Sequence, residues 1–226
     1  GYPKLTLLDD FEMKKIILRD LYDTMILKDI SRNFSIEDIN SLEKFVKYLA
    51  LNIGGLISYE NISKDLGISF QTIKKYLTAM EKSYLIAQIT PFSTNKTKEI
   101  IKQPKIYFID SGLRNIISKE FNPEFKGMAF ENYVLSELIK KGFSPKYWRT
   151  KSNEEIDFVI ERNSEIIPIE VKITSTDKIE KNIISFIEKY NPKKAFVVFY
   201  KGKEKEIDFR GCKVLFVNIL SLLKNI

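Results

Sequence analysis

The stretch "EIDFVIERNSEIIPIEVK", residues 155–172, decides how the second half of the chain is read. Two β-branched, apolar runs flank a polar "RNSE", so it reads as two strands joined by a turn. Side chains alternate faces along a strand. In the second run Ile167, Ile169, Val171 and Ile173 point one way, and Pro168, Glu170 and Lys172 the other. In the first, Asp157 shares a face with Glu155 and Val159. If the runs pair as a hairpin, Asp157 meets Glu170, with Lys172 on the same face. Two carboxylates brought together repel, and one is driven to protonate unless a cation joins them. Mg²⁺ (or Mn²⁺) suits such a site, because it takes oxygen ligands and keeps several waters. Asp157, Glu170 and the main-chain carbonyl of Val171 are the expected metal ligands. Lys172 is expected to orient or deprotonate the attacking water, or to offset charge developing on a phosphate.

A fourth residue fits this set. In "GMAFENYVLSELIKKG", 127–142, positions 131, 134, 135 and 138 share one helical face and read Glu, Val, Leu, Leu. A carboxylate opening an apolar stripe must be paired, metal-bound or at the edge of the core. The bland alternative is that Glu170 and Lys172 form a surface pair on an exposed sheet, for E-x-K alone is a weak pattern. The chain carries its own control. "KEIDFRG", 205–211, repeats Glu-Ile-Asp-Phe without an E-x-K, and Asp208 reads as a hairpin or edge residue.

Composition narrows the chemistry. The 226 residues carry a net charge of +7, one Cys and no His. A disulfide framework and a Ser-His-Asp or Cys-His catalytic set are excluded, and a structural zinc site is not expected. Hydrolytic chemistry must rest on carboxylates, Lys and an oxygen-liganded metal. No uncharged stretch is long enough to span a bilayer and no signal peptide is visible, so a cytoplasmic protein without membrane contact is expected. The chain opens at Gly1 and not Met, and reads as a fragment of something longer. An oligomer is compatible with this composition.

The first half reads as helices. Apolar residues recur at helical spacing over 11–31. Leu42, Phe45, Val46 and Leu49 make the stripe of the next helix, which Ser35 or Asp38 can cap. A short helix over 60–66 breaks at Gly67, and another runs from a Ser69 cap to about Lys82. Strands are expected at 85–92 and 105–110 around a basic loop. Helix, glycine turn, helix and a hairpin with a basic tip is the order of a winged helix-turn-helix. Residues 59–105 hold eight Lys and four acidic residues, net +4, whereas 1–58 are net −1. Positive charge is therefore concentrated where phosphates would be met. Gln71, Thr72, Lys74, Lys75, Lys96 and Lys98 are the expected DNA contacts; protein docking is the alternative use of such a fold. The domains are set at 1–120, helical and winged-helix, and 121–226, where a helix, three strands, a helix and further strands give an α/β layout.

Glu131, Asp157, Glu170 and Lys172 resemble the four motif positions of the PD-(D/E)xK nuclease superfamily, over residues 125–200. Ile156 stands where the motif name has Pro. The chain as a whole resembles the C-terminal half of a prokaryotic, often archaeal, family of AAA-type ATPases. There a P-loop ATPase domain is followed by a domain of unknown function with a winged helix, and then a nuclease-like domain. The strings that carry the resemblance are "GYPK" (1–4), "YLTAMEKSYLI" (76–86), "PKIYFIDSGLRN" (104–115), "GMAFENYVLSEL" (127–138), "NEEIDFVI" (153–160) and "IPIEVK" (167–172). The resemblance implies an α+β chain: a winged-helix half, then a restriction-endonuclease-like domain that hydrolyses phosphodiester bonds, with DNA and an ATPase domain or ATPase partner. No G-x-x-x-x-G-K-[ST] occurs, so ATP hydrolysis is not assigned to this chain. The competing expectation is a catalytically weak nuclease-fold scaffold whose winged helix binds DNA or protein and which regulates an ATPase.

Overall fold

The computed structural model describes residues 2–93, 103–121, 127–176 and 178–226. Lys96 and Lys98 lie outside the described residues. The fold is mixed α+β and divides into two compact units, 1–88 with 105–123, and 89–104 with 124–226.

Local capping chemistry sets the helices of the first unit. After a short α1 (Pro3–Thr6), α2 (Phe11–Thr24) starts where Asp10 accepts the amides of Glu12 and Met13. It runs into a π-helical turn, Met25–Ile30, which sequence periodicity does not signal. Asp38, not Ser35, caps α3 (Ile39–Leu51), while Ser58 caps α4 (Tyr59–Leu66) and Ser69 caps α5 (Phe70–Lys82). Each cap satisfies a first-turn amide that has no partner within the helix. Gly67 ends α4 at φ +69°, a left-handed conformation that costs glycine nothing. Strands β1 (Ile86–Ile89) and β2 (Lys105–Phe108) form a two-stranded ladder, followed by α6 (Ser111–Ser118), capped by Asp110. One cluster, with Leu42, Phe45, Ile73, Met80 and Phe108 fully buried, fills the space between these elements. Within it Arg114 is buried, donating to the Ala50 carbonyl at 2.9 Å and pairing with Glu120 at 2.6 Å.

The second unit opens with α7 (Gly127–Lys140). Then come β3 (Lys146–Arg149), β4 (Glu155–Arg162), β5 (Glu165–Thr174), α8 (Lys181–Tyr190), β6 (Lys194–Lys201), β7 (Lys205–Phe209), β8 (Cys212–Val217) and α9 (Ile219–Asn225). The sheet order is β3-β4-β5-β6-β8-β7. Strands β3, β4 and β5 run antiparallel; β5, β6 and β8 are parallel; β7 returns antiparallel on the edge. Parallel neighbours need a crossover, and α8 supplies it between β5 and β6. On the α8 face, Val159, Val197 and Phe199 pack with Ile183, Phe186 and Ile187. The β4–β5 connection is the two-residue turn Asn163-Ser164, both residues at positive φ (49° and 63°). Asp208 lies exposed on the edge strand β7, opposite Lys213.

The short helices α1 and α6 are not expected from the sequence, and other elements differ in extent. The helix that the sequence predicts over about 177–190 is described as Lys181–Tyr190. The strand expected over 85–92 is divided. Its far end joins the second unit, where the Tyr147 amide donates to the Thr90 carbonyl at 3.1 Å and Phe92 buries its ring against Phe186 and Tyr190. Burying an aromatic ring outweighs the local preference to continue a hairpin. Among the described residues no helix is long and apolar enough to cross a membrane.

Candidate functional site

The β4–β5 register runs Arg162↔Glu165, Glu161↔Ile166, Ile160↔Ile167, Val159↔Pro168 and Phe158↔Ile169. One step further Asp157 stands opposite Glu170, where main-chain pairing has ended. Asp157 bonds across the gap with its side chain: Oδ2 accepts the Val171 amide at 2.7 Å. The N–H and C=O of one extended residue face the same neighbouring strand, so the Val171 carbonyl is also turned toward β4.

Glu170 is 4% exposed, deep for an acidic residue, and is held there because β5 is paired on both sides. Its Oε1 takes the Lys172 ammonium at 2.9 Å, and its Oε2 is buried with no hydrogen-bond partner among the described residues. Burial, and then the charge of Asp157, push the Glu170 carboxyl up to about 8, against the pull of Lys172 and of Asn182. Burial works against the Lys172 charge, but Glu170 and Glu180 together hold it above the ordinary lysine value. Glu180 Oε2 lies 2.9 Å from the same ammonium. Lys172 thus stays charged whether or not Glu170 carries a proton, because Glu180 supplies a second carboxylate.

The structure therefore brings Asp157, Glu170, Val171 and Lys172 together. Glu131 is buried on α7, which packs against β5. Its neighbours Asn132 and Ser136 are buried polar residues too, so this helix carries a polar seam into the second unit. Among the described residues, no three His, Cys, Asp or Glu side chains gather as a metal-binding group. The donors at hand are two carboxylates and a main-chain carbonyl. The unpartnered Glu170 oxygen beside a second carboxylate fits a divalent cation. Sequence reasoning missed Glu180 and Asn182. Asn182 donates to the Glu155 carbonyl at 2.7 Å and joins the start of α8 to β4. No periodicity points to either, since both act from a loop–helix junction.

On α5, Gln71 and Lys74 are exposed. Thr72 is half-buried and occupied by its cap: its amide donates to Ser69 Oγ and its hydroxyl lies 2.9 Å from that atom. Lys75 is exposed along its length, but its ammonium donates to the Ser35 carbonyl at 2.7 Å.

Comparison with known proteins yields relatives without a described activity. An uncharacterized protein of Haemophilus influenzae is 26% identical over 96% of this chain and 54% of its own length. Uncharacterized protein MJ1544 of Methanocaldococcus jannaschii is 33% identical over 79% of this chain and 41% of its own. An uncharacterized protein of Mycobacterium tuberculosis is 30% identical over 58% and 32%. The chain spans about half the length, or less, of the curated relatives it matches. The crystal structure of protein VC1899 from Vibrio cholerae is similar at 14% identity and a TM-score of 0.25, covering 89% of this chain and 48% of that one, too weak a likeness to carry an argument. Residues 126–220 match Domain of unknown function (DUF4143), a domain found at the C-terminal ends of AAA-ATPase-like proteins. Residues 1–124, more than half of the chain, match Domain of unknown function (DUF8612), and the chain belongs to that family.

Proposed function

We propose that this chain is the DNA-binding, metal-dependent nuclease module of an AAA-type ATPase, hydrolysing phosphodiester bonds. The observation that carries the reading is the buried Glu170 carboxylate, with one oxygen unpartnered, opposite Asp157 and two residues from Lys172. A Mg²⁺ or Mn²⁺ ion held by Asp157, Glu170 and the Val171 carbonyl would draw charge off a phosphodiester and acidify an attacking water. Asp157 holds β5 at the point where its pairing with β4 stops. Lys172 presents a fixed positive charge to the developing oxyanion. Glu131 would act from α7 as a group beyond these three ligands. The order α7-β3-β4-β5-α8-β6 supports a PD-(D/E)xK, restriction-endonuclease-like core. The order α4-α5-β1-β2 supports a winged helix, with Gln71 and Lys74 as its free polar face. A cytoplasmic setting and an ATPase domain or partner belong to the same proposal.

A second reading has its own observation. Lys172 is held between two carboxylates, as in a structural ion cluster. On this reading the second unit is a catalytically weak scaffold that binds DNA or protein and regulates an ATPase. Cleavage of supercoiled, linear and branched DNA with Mg²⁺ and Mn²⁺, wild type against Lys172→Ala, separates the two. The nuclease reading expects wild type to cut and Lys172→Ala to lose most turnover while keeping the metal. Equal rates in both proteins would sink it. Glu170 is buried, so the exposed surface pair considered from the sequence is not what the structure holds; if Lys172 serves only this ion cluster, its replacement costs stability and changes no activity.

A further inference from the structure

Glu180 makes no capping bond, although it stands at the N-cap position of α8. Its carboxylate is turned instead to Lys172, 2.9 Å away. One ammonium therefore lies 2.9 Å from two carboxylates of different character. The Glu170 side chain is 5% exposed, that of Glu180 35%. We propose that Glu180 is a positioning residue that draws Lys172 off Glu170 when a divalent cation takes that carboxylate, so that Lys172 stays on the reacting face and does not block the metal. This rests on the reading of Asp157 and Glu170 as cation ligands.

Lys172 and a divalent cation both need Glu170, and their like charges disfavour each other at that distance. Were Glu180 absent, the ammonium would have one acceptor only among the described residues, and the cation would have to break that pair with no compensation. With Glu180 in place, the second half of the exchange is already made. Lys172 keeps a full ion pair as Glu170 changes partner, and the unpartnered Glu170 Oε2 gives the cation a first point of contact. Glu180 reaches neither the reacting phosphate nor the cation in this scheme. It acts through Lys172, and so its effect must vanish when Lys172 is gone.

A double-mutant cycle read by calorimetric titration of Mn²⁺ into the whole chain tests this, with circular dichroism confirming the fold of each protein. Glu180→Gln is expected to weaken Mn²⁺ binding about fivefold or more. Lys172→Gln, which removes the charge but keeps a donor for Glu170, is expected to tighten it. In the Lys172→Gln background, Glu180→Gln is expected to change affinity less than about twofold, since groups that act as a unit are non-additive. Lys172→Met gives the same comparison without any donor, should either variant fold poorly. A Glu180→Gln effect of equal size in both backgrounds would mean plain long-range charge and overturn the proposal. So would no effect in either. If neither wild type nor Lys172→Gln takes up Mn²⁺, the cation reading itself falls, and this inference with it.

Discussion

The amide of Val171 donates to the carboxylate of Asp157 at 2.7 Å, so a side chain completes a strand pairing that the main chain has abandoned. Asp157 therefore has two duties, one to the sheet and one to the charge of the site. Substitutions can part them. Asp157→Asn keeps an acceptor for Val171 and should fold within about 1 kcal/mol of wild type, yet lose roughly tenfold or more in Mn²⁺ affinity. Asp157→Ala also strands the Val171 amide and should cost about 1–3 kcal/mol in chemical denaturation.

Glu170 makes stability depend on pH. Its carboxyl is pushed up to about 8, above its ordinary 4.5, so the folded chain binds a proton that the unfolded chain releases. Its contribution is complete below about 4.5 and is lost as pH rises through about 8. In chelator, the unfolding midpoint should therefore fall from pH 5 to pH 8.5. Glu170→Gln should flatten that slope, and saturating Mn²⁺ should restore wild type at the alkaline end. A midpoint that rises with pH across this window would contradict the burial argument.

The polar face of α5 divides in the same way. Lys74 is exposed, whereas Lys75 is tied to the Ser35 carbonyl. Lys74→Ala should weaken DNA binding for all sequences and reduce the salt slope by about 0.9, the value for one phosphate contact on B-DNA. Lys75→Ala should act chiefly on stability, by about 0.5–1.5 kcal/mol. Fluorescence anisotropy across a salt series, run beside urea titrations, separates the two lysines.

Arg114 is buried with Ala50 and Glu120 as partners. Arg114→Leu should destabilise the first unit by about 1–3 kcal/mol through the unpaired Ala50 carbonyl. Glu120→Gln should cost less, because Glu120 is 41% exposed and water can take its place. Differential scanning calorimetry of the two variants checks the order.

Much of the scaffold was legible because its signals are local. Ser69, Asp38 and Gly67 mark helix ends through bonds made within three or four residues. Asp157 and Glu170 could be paired on paper because strand alternation has a period of two. What escaped depends on distant partners. Glu180 meets Lys172 only once α8 has crossed over β5 to β6. Lys75 meets a carbonyl 40 residues away. Phe92 leaves its own hairpin for an aromatic cluster formed by Phe186 and Tyr190. The π-helical turn at 25–30 is a backbone adjustment within an unbroken apolar pattern, and such patterns carry no mark of it.

The Asn163-Ser164 turn reaches further than its exposed position suggests. With two residues at positive φ it fixes the β4–β5 register, and so the meeting of Asp157 with Glu170 six places away along each strand. The tip thus serves as a gauge for the spacing of two charges it never touches. Its letters are free to drift toward Asn-Gly or Asp-Gly, but its length is not. One added residue would turn every following side chain of β5 to the opposite face, exchanging Glu170 with its apolar neighbours. Across lineages, this loop should vary in composition and hold its count.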